Sequence, residues 1–226
     1  MNGVAELTAA TETGTQGPRG RRIKGLDAAE RQAERRRQLL DAALELFATR
    51  GYVNTSIEQI CQTAFVGTKA FYELFDGKEA CYLALLDDLS QLMTDRVVAA
   101  AADLPDDERA AARALVAAFA HAVVDDPRIA RATFGQAGGI SWAVEQKRRA
   151  NRRWAAGFLE SVWARFGLTS TGGGNLHVVA VGLVGGLFDL VTDWLHDAAD
   201  VSDIESLIDG LTAFYETVST GLSAQK

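Results

Sequence analysis

The chain has 226 residues, 48% of them hydrophobic and only three of them proline, enough for one or two domains with real cores and few obstacles to long helices. Its two cysteines, Cys61 and Cys81, make no metal spacing and no disulfide framework, which points to a reduced, cytoplasmic setting. A net charge of −7 excludes a uniformly basic nucleic-acid binder, yet the charge is uneven: residues 1–80 hold 11 basic and 11 acidic side chains, residues 81–226 hold 12 and 19.

Alanine and leucine dominate the apolar residues, and both lose little entropy on entering a helix, so the expected class is all-α. Residues 1–26 show no sustained apolar period and read as a disordered arm. Its end is basic, with Arg19, Arg21, Arg22 and Lys24. That segment is either a solvated tail or an arm that follows a DNA backbone into the minor groove. No basic-then-apolar leader is present at the N-terminus.

The first amphipathic helix is expected from Asp27 to Arg50, with Leu40, Ala43, Leu44 and Phe47 on one stripe and Gly51 placed to cap it in the left-handed region. Ser56 followed by Gln59 forms a capping box for a two-turn helix carrying Ile57, Ile60, Cys61 and Ala64. A tight turn at Phe65-Val66 leads to a third short helix whose inward residues are Phe71, Leu74 and Phe75. Asp76-Gly77 ends it, and a long helix begins at Lys78. Two short helices joined by a tight turn and packed on a longer one make a helix-turn-helix. The outward N-terminal end of the third helix, Gly67, Thr68, Lys69 and Ala70, is small and polar enough to enter a major groove.

Over residues 35 to 86 the chain resembles the tetracycline-repressor (TetR) family. The resemblance rests on Leu39 through Phe47, Gly51-Tyr52, Thr55 through Ile60, Ala70 through Phe75 and Lys78-Glu79. It implies phosphate contacts from Thr55, Tyr72 and Lys78, with Ser56 beside them at the helix start. It implies base contacts from Thr68, Lys69 and Ala70. The chemistry agrees, since hydroxyls, ammonium and helix N-terminal amides suit phosphate, while Lys69 can donate to guanine and Ala70 can touch a thymine methyl. Three positions depart from the family pattern. Phe65 stands where glycine is usual, which is strained if φ is positive. Gly67 replaces a commoner serine cap, and Glu73 sits where a basic or aromatic residue is frequent.

Beyond Lys78, helices are expected at about 78–101, 106–124, 127–136, 141–167, 175–198 and 203–222, broken at Pro105, Pro127, Gly138-Gly139 and Gly172–Gly174. The apolar run from Val178 to Phe188 is too short to span a membrane before it meets Asp189, so a buried core helix is expected, with Gly182, Gly185 and Gly186 admitting a close neighbour. Phe119, His121, Phe134, Trp142 and Trp154 are either ordinary core aromatics or the lining of a pocket between helices. The cluster Lys147, Arg148, Arg149, Arg152 and Arg153 reads as a solvated face, with an anionic ligand or partner as the alternative.

The expected organisation is therefore a basic arm (1–26), a helix-turn-helix domain (27–77) and a helical ligand-binding and dimerisation domain (78–226). The family resemblance implies a homodimer that binds a palindromic operator in double-stranded DNA and, as a repressor, releases it when a small molecule binds. The alternative is a DNA-binding dimer that takes no ligand. An enzyme is not expected, because His121, His177 and His196 are scattered and no nucleophile–base spacing occurs. No cofactor, metal or membrane partner is expected.

Overall fold

The structure is a computed structural model that describes residues 20–134, 139–168, 175–197 and 203–223. Among these residues there are nine helices and no strands: α1 (Gly20–Arg50), α2 (Ile57–Thr63), α3 (Thr68–Tyr72), α4 (Lys78–Ala101), α5 (Glu108–Val124), α6 (Pro127–Thr133), α7 (Trp142–Arg165), α8 (Leu176–Asp197) and α9 (Ile204–Ser223). The Gly172–Gly174 break and the greater part of the N-terminal arm lie outside the described residues.

Helix α1 begins at Gly20, ahead of the expected start at Asp27. Its first half has no apolar stripe, so periodicity could not announce it. Arg, Ala, Gln and Glu are strong helix formers in their own right. Side chains one turn apart add support: Arg31 pairs with Asp27 at 2.7 Å and Gln38 donates to Glu34 at 3.1 Å. The second half is held by burial, with Leu39, Ala43 and Phe47 fully enclosed. Gly51 takes φ 80° and its amide bonds to the Phe47 carbonyl, closing the helix as expected.

Ser56 caps α2 with both arms of the capping box: its hydroxyl accepts from the Gln59 amide at 3.2 Å, and the Gln59 side chain accepts from the Ser56 amide at 2.9 Å. Helices α2 and α3 close against α1 through Ile60, Cys61, Phe71 and Phe75, all buried. These join Tyr82, Leu85, Leu86 and Leu89 of α4, so the head core runs without interruption into the next helix.

In the body, α5 packs on α4, α6 and α9, while α7 packs on α8 and α4. The short helix α6 is shared: it lies against α1 of the head and against α5 and α8 of the body. Pro127 at its first turn removes an amide that would have had no partner, and the Asp126 carboxylate caps it by accepting from the Arg128 amide at 3.0 Å. Arg128 then reaches back from α6 to Asp41 and Glu45 on α1, at 3.3 and 3.5 Å.

Helix α8 is less enclosed than its composition predicts. Ala180, Leu183, Val184 and Val191 are buried, but Val178 is 61% exposed and Leu190 38%. By length and composition alone, Leu176–Leu195 is long and apolar enough to cross a membrane, and only a minor part of it is buried. Of its glycines, Gly186 admits a close neighbour, since a Cβ there would fall 2.7 Å from the Phe214 ring of α9. Gly182 and Gly185 face open space within the chain.

Candidate DNA-binding head and ligand cavity

The start of α3 is presented to solvent. Gly67, Thr68 and Lys69 are exposed, Ala70 is half-buried against the head core, and Tyr72 is 55% exposed while Phe71 beside it is fully buried. One short helix thus turns its aromatic side inward and its small, polar side outward. Gly67 caps it in extended conformation, with no side-chain bond. Ser56 uses a lone pair for its cap, and the Glu58 backbone amide together with the Ser56 hydroxyl holds the Glu58 carboxylate below its usual range.

Two of the expected phosphate contacts are placed differently. Thr55 is only 2% exposed, and its hydroxyl donates inward to the Gly51 carbonyl at 2.8 Å. Lys78 is half-buried; its ammonium lies 4.4 Å from the centre of the Tyr52 ring and donates to the Tyr52 and Thr55 carbonyls at 2.9 and 2.8 Å. Burial lowers its pKa from the usual lysine value. Both side chains fasten the 51–56 connection that aims α2. Phe65 adopts the positive φ that its position demands, 54°, and leaves its ring 97% exposed. The turn is built as a glycine would build it, with a phenylalanine bearing the strain.

The body holds a partly open cavity of about 860 Å³ among α4, α5, α7 and α8, with Thr133 of α6 and Tyr215 of α9 also on its wall. Phe119, Phe134 and Trp154 are on its wall. Phe188, read in the sequence only as part of a buried apolar helix, organises that wall, stacking with Phe119 at 5.7 Å and tilting against Phe134 at 5.1 Å. His121 and Trp142 do not line it. His121 points to the outside of α5 and bonds Asp125 one turn on at 2.8 Å, and Trp142, at the first position of α7, is 75% exposed.

The basic cluster on α7 is split by the helix turn. Arg149 and Arg153 are exposed, whereas Lys147, Arg148 and Arg152 form part of the cavity wall. Lys147 pairs with Asp87, and Arg152 with Glu145 at 3.1 Å. Arg148 donates to the Tyr82 hydroxyl and the Thr133 carbonyl, both at 3.3 Å. Asn151 donates to Ser90 at 2.6 Å on the same wall.

With this geometry established, known proteins can be set beside it. Residues 39–85 match the model of bacterial regulatory proteins of the tetR family. The HTH-type transcriptional activator FasR of Mycolicibacterium smegmatis is 30% identical over 188 residues, covering 80% of this chain and 81% of that protein. The chain belongs to the TetR family. Two further relatives align over only 19% and 55% of their own lengths. Among solved structures, the fatty acid degradation regulator FadR of Bacillus halodurans superposes with a TM-score of 0.71 at 18% identity, covering 83% of this chain and 96% of that one. FadR of Bacillus subtilis, solved in complex with stearoyl-CoA, gives 0.61 at 18% identity, with 78% and 97% covered. These structures share the all-α fold with an N-terminal helix-turn-helix.

Proposed function

We propose that this TetR-family regulator is a homodimer that binds a palindromic operator and releases it, as a repressor, when an elongated, largely apolar molecule fills the body cavity. The observation that carries this reading is the double membership of α6. It packs on α1 of the head, with Arg128 bonded to Asp41 and Glu45, and it lends Thr133 to the cavity wall, followed there by Phe134. A molecule that changes the seat of α6 changes the footing of α1. It shifts the DNA equilibrium by its preference for one arrangement over the other.

Reading of DNA falls to Thr68, Lys69 and Ala70 at the start of α3, with Ser56, Tyr72 and the Gly67 region meeting phosphates; Thr55 and Lys78 hold the loop behind them. One five-residue helix reads few base pairs, so a two-fold dimer is needed for a usable site. The exposed apolar side of α8, with Val178, Leu190 and the open Gly182 and Gly185, offers the surface for that pairing. A cavity walled by Phe119, Phe188, Leu115 and Val116 suits an aliphatic chain, in keeping with the acyl ligand of the Bacillus subtilis FadR complex. The cytoplasm is the setting that follows for a regulator of this kind.

Selection of bound duplexes from a random pool at near-physiological salt tests the DNA half of the reading. A two-fold symmetric enriched motif is expected. Folded, dimeric protein that enriches nothing would refute it.

A further inference from the structure

Most charges on the cavity wall are already paired. Asp87 holds Lys147, Asp88 is gripped by two bonds from Arg36 at 2.7 and 2.9 Å, and Glu145 holds Arg152. Asp189, exposed on α8, is the remaining acid of the lining. Arg148 is different. Among the described residues no carboxylate lies within ion-pair distance of it, and its two hydrogen bonds, both 3.3 Å, are long for a guanidinium. Its Nε is closed off from solvent and has no partner, and the same is true of the Thr133 hydroxyl on the same wall. A buried donor left unbonded is costly, so two such groups side by side on the cavity wall call for an acceptor.

A carboxylate would satisfy these donors once Arg148 turns toward the cavity. It takes Nε–H together with a second guanidinium N–H side by side, and its other lone pairs accept from the Thr133 hydroxyl. The groups holding Arg148 at present are neutral, a phenol and a carbonyl, and they are weaker acceptors than an anion. They also lie on the seam between body and head. The Tyr82 hydroxyl donates to the Ala132 carbonyl of α6 at 2.9 Å. The Tyr82 ring packs edge-on against Phe47 of α1 at 5.1 Å and lies 5.2 Å from Tyr52, whose carbonyl receives Lys78.

We propose that Arg148 is the anion-binding residue of the cavity, that the ligand class is a long-chain monocarboxylate, and that its head group draws Arg148 from Tyr82 and Thr133, loosening the α4–α6 seam beneath the DNA head. This rests on the ligand-responsive reading above. The apolar walls accept the chain and Arg148 accepts the acid, so the charge of the head group decides affinity.

The test compares dodecanoate with dodecan-1-ol, which share a chain and differ in head charge, on full-length protein by calorimetry. Wild-type protein is expected to bind dodecanoate about tenfold more tightly than the alcohol, a difference of about 1.4 kcal/mol. In Arg148→Gln that preference falls to within about twofold, with folding and dimerisation checked by circular dichroism and sedimentation. Wild-type protein with no preference for the carboxylate overturns the proposal whatever the variant does. A folded Arg148→Gln protein that keeps the preference overturns it equally. Because this readout needs no DNA, failure of operator selection leaves it intact. Conversely, dodecanoate that binds through Arg148 without weakening an identified operator overturns the seam-loosening half alone.

Discussion

The head and the body of this molecule are built from the same helical material and finished to different degrees. In the head, Ser56 and Gln59 cap α2 reciprocally, and the aromatic side chains Phe47, Phe71 and Tyr82 are wholly enclosed. In the body, a cavity of about 860 Å³ is left open, two wall groups lack partners, and α8 carries apolar side chains into solvent. A part that must present one fixed surface to DNA is packed to completion. On the proposed reading, the body is left incomplete where its ligand would sit.

That contrast can be broken first at its cores. Phe71→Ala in the packed head is expected to cost about 3 to 5 kcal/mol and to abolish DNA binding. Leu115→Ala on the cavity wall, which only enlarges space already present, should stay near about 2 kcal/mol. Urea unfolding of the two variants measures this, and equal costs would erase the distinction. Next comes the uncovered helix. Val178→Asp places a charge on the exposed face of α8 and should weaken dimerisation by at least about tenfold, or about 1.4 kcal/mol, in sedimentation equilibrium. An unshifted dimer would assign that face to something else.

Smaller effects sharpen the comparison. Phe65 is the one place where the described head carries backbone strain in a residue other than glycine. Phe65→Gly should raise stability by about 0.5 kcal/mol, because the relief of a left-handed phenylalanine exceeds the entropy that glycine adds to the unfolded chain. A lower melting temperature would mean that the exposed ring has a packing role. At the joint between the regions, hydrogen bonds from Arg128 hold the Asp126 carboxyl below its usual range. A depressed folded pKa contributes stability above the unfolded value near 4 and loses it as pH falls through the folded one. Asp126→Asn should therefore cost at most about 0.5 kcal/mol at pH 7, given its partial exposure, and nothing near pH 2. A cost that persists in acid would assign the effect to the α6 cap alone.

Much of this was legible in the residues. The capping box at Ser56 and the glycine cap at Gly51 are local rules of backbone chemistry, and they appear where the sequence places them. The residues leave the sign of φ at Phe65 open, because a bulky side chain disfavours the value it takes. The helices of the body fall close to their expected bounds because proline and glycine punctuate them. The start of α1 was missed because residues 20–26 carry no apolar stripe to announce a helix. His121 and Trp142 were assigned to the pocket by residue type, but which face of a helix meets a cavity depends on neighbours that no single helix announces. Arg148 did leave a signal. It stands in the stripe Val144, Arg148, Asn151, Ala155, Leu159, Val162, at helical spacing among residues that turn inward, and grouping it with its basic neighbours hid that placement.

The central claim is that cavity and head are coupled through α6, and linkage makes that directly measurable. Operator affinity should be determined with and without saturating dodecanoate, and dodecanoate affinity with and without saturating operator. The account predicts that both weaken, and by the same factor, because coupling between two sites is reciprocal. Two affinities that each ignore the other ligand would contradict it.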